Sequence, residues 1–230
     1  MQIDEIFEAD KRIKKKKRTT PLLNSPFLDE IADRQIFIKA ECLQHTGSFK
    51  FRGAYSAISS IPIEKRKKGV IAYSSGNHAQ GVAFAAKIHK IPATIIMPED
   101  APEIKINNTK DLGAEVILYD RLSENREKIG QKISEERLLS LIPPYDHNDV
   151  IAGQGTIGLE IAVQAEQIGL GKADVLVCCG GGGLTSGIAV ALSTLMPDFV
   201  TRPVEPEGFD DVVRSLKTGE RQTNKQTSGG

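Results

Sequence analysis

The chain has no tryptophan, few aromatic residues and only three cysteines in 230 positions. Those cysteines are Cys42 and the adjacent pair Cys178 and Cys179. No CxxC spacing exists, which excludes a zinc ribbon and a disulfide framework and fits reduced thiols in a cytosol. No apolar run approaches the roughly 18 residues that a membrane span requires. The start, Met1-Gln2-Ile3-Asp4-Glu5, lacks the apolar stretch of a secretion signal. A soluble, cytoplasmic protein without a membrane partner is therefore expected. Charge of one sign is also missing. Thirty Lys and Arg stand against thirty Asp and Glu, so no global field points to nucleic acid. The one local excess, Lys14-Lys15-Lys16-Lys17-Arg18, reads as a solvated helix end before Pro21 rather than a basic recognition arm.

What the chain does have is a regular alternation. Apolar strands are expected at Ile36–Cys42, Gly69–Tyr73, Ala93–Met97, Ala114–Tyr119, Asp174–Cys179 and Phe199–Val204. Helices are expected at Phe51–Ile61, His78–His89, Pro102–Leu112, Ser123–Leu139 with Ser123 as N-cap, Gly155–Ile168, Leu184–Met196 and Asp210–Lys217. Strands without in–out alternation, separated by helices, are the mark of parallel βαβ units buried on both faces. Pro143-Pro144-Tyr145-Asp146-His147 interrupts the pattern and is the natural domain junction. The tail Gly219–Gly230 is expected to fray.

Two features carry chemistry. Gly180-Gly181-Gly182-Gly183 closes an apolar strand and opens a helix. Four residues without Cβ let backbone N–H groups turn inward together, and the helix start adds about half a positive charge. A phosphate is the natural guest; a flexible turn that binds nothing is the plain alternative. The run is neither GxGxxG nor a Walker loop. The second feature is Lys50 in Thr46-Gly47-Ser48-Phe49-Lys50-Phe51-Arg52-Gly53-Ala54. Gly47 and Ser48 leave room for a cofactor ring, and Phe49 offers a face to stack on. Partial burial and the Arg52 cation would both lower the lysine pKa, supplying the neutral amine that an aldehyde cofactor needs. An exposed lysine at a helix start is the alternative.

These residues resemble a known family. Ser48-Phe49-Lys50-Phe51-Arg52-Gly53-Ala54, Ser74-Ser75-Gly76-Asn77-His78-Ala79-Gln80-Gly81, Ala152-Gly153-Gln154-Gly155-Thr156 and the tetraglycine loop are similar, in order, to the motifs of fold-type II pyridoxal phosphate enzymes of the serine/threonine dehydratase group. The resemblance implies an α/β fold of two open, mainly parallel domains, of the tryptophan synthase β type. Residues 1–68 and 146–230 would form the large cofactor-binding domain, and 69–145 the small one. The family runs on well past the position of Gly230, so the large domain is expected to be incomplete and the chain truncated.

The resemblance also implies roles. Lys50 would hold pyridoxal 5'-phosphate as a Schiff base and remove the substrate Cα proton. Phe49 would pack on the cofactor ring, Asn77 would meet its phenolic oxygen, and Gly180, Gly181, Gly182, Gly183 and Leu184 would hold its phosphate. Ser75, Gly76, Asn77 and His78 would cradle the substrate carboxylate. Ser75 would be an opposite-face acid/base, with a satisfied turn serine as the alternative. Glu205, the Phe209 carbonyl and Asp211 would bind Mg²⁺ or Ca²⁺ through oxygen, unless the aspartates at 210 and 211 serve as helix N-terminal acids. The expected reaction is deamination of L-threonine or L-serine to a 2-oxo acid and ammonia by a homodimer. A serine racemase, a hydroxyaspartate ammonia-lyase and an inactive remnant are the alternatives.

Overall fold

The computed structural model describes residues 1–224. Its elements are α1 (Ile3–Ile13), β1 (Leu22–Asn24), α2 (Pro26–Ala32), β2 (Phe37–Lys39), α3 (Lys50–Ser60), α4 (Ile63–Arg66), β3 (Val70–Tyr73), α5 (Asn77–His89) and β4 (Ala93–Pro98). There follow α6 (Glu103–Asp111), β5 (Glu115–Tyr119), α7 (Arg126–Arg137), β6 (Ser140–Leu141), α8 (Asn148–Gln167), β7 (Ala173–Cys178), α9 (Gly183–Leu195), β8 (Phe199–Val204) and α10 (Asp211–Thr218). No helix among the described residues is long and apolar enough to cross a membrane.

The alternating pattern gives a parallel sheet in the order β5-β4-β3-β6. All six residues of β4 are buried, which is why that strand reads as a continuous apolar run: helices cover both faces of a central parallel strand. A second parallel pair, β7-β8, is joined through α9, and β1-β2 pair antiparallel. The main core gathers Phe51, Ala54 and Ile58 of α3, Val82 and Ala86 of α5, and Val70, Ile95 and Met97 of the sheet.

Several boundaries differ from expectation for identifiable reasons. The cap of α7 is Asn125, whose side-chain oxygen accepts from the amides of Glu127 and Lys128 at 2.9 and 3.0 Å. Ser123 instead donates to Asp120 in the preceding turn. Helix α8 starts at Asn148 rather than Gly155, because its glycines are contact points rather than breaks. A Cβ on Gly153 would lie 2.6 Å from the Arg52 carbonyl oxygen, and one on Gly187 of α9 would lie 2.7 Å from the Gly155 nitrogen. Close helix approach thus overrides the poor helix propensity of glycine. The strand near Ile36 shrinks to Phe37–Lys39. Helices α2 and α4 and strands β1 and β6 are not signalled by the sequence pattern, and of α1 only its end at the basic run is. Of the expected frayed tail, Gly219 caps α10 with φ 73°, and residues 225–230 lie outside the described residues.

The basic run is not wholly solvated. The Lys17 side chain is 8% exposed and ion-paired with Asp10 and Glu160, both at 2.7 Å. Ile6, Ala9 and Ile13 of α1 are fully buried. Glu160 also takes Lys39 at 2.7 Å and Arg52 at 2.8 Å, and Arg52 pairs with Glu41. The N-terminal arm, β2, α3 and α8 therefore meet at one carboxylate.

Candidate functional site

Lys50 is the first residue of α3, and neighbouring helices hold its backbone. A Cβ on Gly81 of α5 would lie 3.1 Å from the Lys50 carbonyl carbon. One turn on, the Gly53 amide donates to Oε1 of Gln154 in α8 at 3.2 Å. The Lys50 amine donates to the Pro144 carbonyl at 2.7 Å and stands 5.2 Å from the Phe49 ring centroid. Burial lowers its pKa to about 8.

The expected help from Arg52 is absent. That guanidinium is fully buried and turned to Glu41, Thr156 and Glu160, so its charge is neutralised locally and desolvation alone acts on the lysine.

Lys50 and Phe49 line one cavity of about 1280 Å³ together with Gly180, Gly181, Gly182, Gly183 and Leu184. Gly182 is the N-cap of α9 at φ 79°, a left-handed conformation that favours glycine. The first-turn amides of α9 have no acceptor within the helix. The Thr185 hydroxyl beside them is buried and has no partner among the described residues. A donor cradle without side chains, facing the same space as a primary amine of lowered basicity, fits a ligand that carries both a phosphate and an aldehyde, as pyridoxal phosphate does.

The other expected residues divide into two sets. Glu205, Phe209 and Asp211 line the same cavity. The Glu205 carboxylate, however, accepts the amides of Val212 and Val213 at 2.9 Å each, capping α10, while Asp211 accepts from Asn224 at 2.7 Å. Among the described residues no group of three or more His, Cys, Asp or Glu side chains could hold a metal. Ser75, Gly76, Asn77 and His78 are not among the cavity walls. Ser75 and Asn77 are exposed, and Asn77 accepts from Lys105 at 3.0 Å. His78 is buried, and its Nε2 lies 2.9 Å from the Ile142 carbonyl, which can only accept. Burial, reinforced by the Lys50 charge, drives the His78 pKa down to about 3.

Sequence reasoning did not assign Tyr145, Gln154, Arg121 or Arg126, all in the cavity wall. The Tyr145 ring rests on Gly181 so closely that any Cβ there would overlap its carbons. Tyr145 was hidden in the turn-forming segment, and Arg126 in the polar start of α7. Gln154 stood inside a recognised motif without a function.

A family profile described as "Pyridoxal-phosphate dependent enzyme" matches residues 13–228. The chain is 47% identical over 216 residues to an L-threo-3-hydroxyaspartate ammonia-lyase of a Pseudomonas species, covering 94% of this chain and 66% of the relative. It is 42% identical over 227 residues to the L-threonine ammonia-lyase of Thermotoga maritima, covering 98% of this chain and 56% of that protein. The solved structure of maize serine racemase superposes with a TM-score of 0.92 at 38% identity, covering 99% of this chain and 68% of the other. This chain thus spans about two thirds or less of the curated relatives' length. With this profile over most of its length and a lysine–oligoglycine cavity of the matching kind, the chain belongs to the family of pyridoxal-phosphate dependent enzymes.

Proposed function

We propose that the protein deaminates a β-hydroxy α-amino acid, eliminating water and releasing a 2-oxo acid and ammonia. The observation that carries this reading is the shared cavity of the Lys50 amine and the Gly180–Gly183 loop. Sequence reasoning puts L-threonine or L-serine first as substrate, with hydroxyaspartate close behind.

Bound pyridoxal phosphate supplies an electron-accepting ring that stabilises negative charge at the substrate Cα. The chain's own residues do the rest. Lys50, with its pKa near 8, is poised to accept the Cα proton in the neutral form and return it as the ammonium. The Pro144 carbonyl orients that amine. Gly180 to Leu184 anchor the phosphate, and Phe49 packs against the ring. The Asn77 and His78 amides opening α5 suit a carboxylate, with Ser75 beside them as a proton donor; the Gly76 amide, which donates to the Ser74 hydroxyl at 3.2 Å, would join them by releasing it. A divalent cation on Glu205, the Phe209 carbonyl and Asp211 would require Glu205 to release the amides of α10. Residues 69–145 act as the smaller domain, and a cytoplasmic homodimer is the proposed setting.

The test is direct. Protein loaded with pyridoxal phosphate is reduced with borohydride and digested, and the labelled peptide is sequenced. Ammonia and 2-oxo acid are then assayed with L-threonine, L-serine and L-threo-3-hydroxyaspartate. Label at Lys50 and equal yields of both products are expected. Label elsewhere, or D-serine from L-serine without 2-oxo acid, sinks the lyase reading.

A further inference from the structure

Gln154 lies inside α8 and is only 1% exposed, yet it forms part of the cavity wall beside Lys50. Its two ends have unequal surroundings. The Gly53 amide, which can only donate, faces Oε1 at 3.2 Å and so fixes which way round the carboxamide sits. That bond holds the first turn of α3 against α8, beside the Arg52 amide that donates to the Phe49 carbonyl at 3.0 Å.

The NH₂ end lies against the Cα of Gly53, where any Cβ would overlap it. It has no hydrogen-bond partner among the described residues. Buried donors are almost always paired, because leaving one bare forfeits its hydration without return. An unpaired donor on a residue that lines a binding cavity is a candidate for an acceptor supplied by a ligand, reached by a small turn of the shielded carboxamide.

We infer that Gln154 is a ligand-binding residue of the lysine cavity, donating its carboxamide N–H to an anionic oxygen while its carbonyl accepts from Gly53 in the helix of Lys50. The ligand class rests on the pyridoxal phosphate reading above. Two sources share the chemistry: the phenolate or phosphate oxygens of the cofactor, and the carboxylate of an amino-acid substrate. A neutral carboxamide suits this position. It adds a donor without adding charge, so the lowered basicity of the nearby lysine is left intact.

The substitution Gln154→Glu separates the two ends. It keeps an oxygen toward Gly53 and replaces only the NH₂ group. Burying the new carboxylate costs free energy, so the variant is expected to melt below the wild-type temperature. Its affinity for one ligand is expected to fall about tenfold to a hundredfold, the size of one charge-assisted hydrogen bond. Absorbance titration with pyridoxal phosphate tests the cofactor source. Calorimetry of the loaded protein with 3-hydroxybutyrate, which has the carboxylate and hydroxyl but no amine, tests the substrate source. A loss confined to one arm supports the assignment and says which oxygen is read, whereas an equal loss in both arms is the repulsion of the new charge and overturns it. Unchanged affinity in both arms overturns it.

A wild-type measurement covers the case of a variant that fails to fold. The side-chain NH₂ resonances of Gln154 in ¹⁵N-labelled protein should shift when either ligand is added, and resonances that stay in place overturn the inference. Ligand binding at Lys50 without release of ammonia would count against the lyase reading alone.

Discussion

The amine of Lys50 and the carbonyl of Pro144 are hydrogen-bonded at 2.7 Å across 94 positions of sequence. This contact ties the first turn of α3 to the segment that precedes α8, whose next residue, Tyr145, rests on the glycine loop. Amine and anion cradle are therefore linked through two consecutive residues.

With the Lys50 pKa lowered to about 8 by burial, the rate of pyridoxal phosphate attachment should rise through that pH and level off above it. The linkage sign agrees. The folded state disfavours the protonated amine, so Lys50 costs stability at low pH, and the cost fades as pH climbs from about 8 toward the ordinary lysine value of 10.5. Stopped-flow absorbance across the range checks the midpoint. Lys50→Ala should abolish attachment and lower any turnover by about a thousandfold or more.

Gly181→Ala should destabilise the protein by about 1–3 kcal/mol, because the new methyl group overlaps the Tyr145 ring. Combining it with Tyr145→Ala should recover part of the loss. A double-mutant cycle in urea measures the coupling, and strictly additive effects would mean that the ring and the loop do not touch.

Burial works to raise the pKa of Glu160, but Arg52, then Lys17 and Lys39, outweigh it and hold the carboxyl down to about 2. Its stabilisation is present above the unfolded value of 4.5 and is lost as pH falls toward the folded one. Glu160→Gln should cost about 3 kcal/mol near neutrality, since it leaves Lys39 without its carboxylate and takes one of two carboxylates from each of Arg52 and Lys17. Urea midpoints at several pH values would show wild type and variant converging in acid.

Gly187→Ala should separate α8 from α9, because the added Cβ would lie 2.5 Å from the Ile151 carbonyl oxygen. The cost expected for such overpacking is about 1–3 kcal/mol, read from thermal melts.

The His78 ring, with a pKa near 3 and Nε2 facing a carbonyl acceptor, should remain neutral through the whole working range. Its NMR resonances should not titrate between about pH 5 and 9, and no limb of a pH–rate profile should belong to it.

The βαβ alternation was legible because β3, β4 and β5 are short apolar runs separated by helices of ordinary length. The lysine and the glycines were legible because backbone donors and amines act locally. What escaped depended on partners far away in sequence. The early start of α8 follows from glycines pressed against Arg52 and Gly187, which no local propensity encodes. Arg52 beside Lys50 looked like an electrostatic partner, yet Glu41 and Glu160, 11 and 108 positions away, claim it. Tyr145 and Arg126 join the cavity only once β3 to β6 have stacked.

The pairing of Lys17 with Glu160 bears on how the polypeptide can be handled at the bench. Trimming the arm before Thr19 would remove a counter-ion of Glu160 from the interior and expose Ala152 of α8 and Ala191 of α9, against which Ile6 and Ala9 pack. An affinity tag placed ahead of Met1 with a flexible spacer spares both.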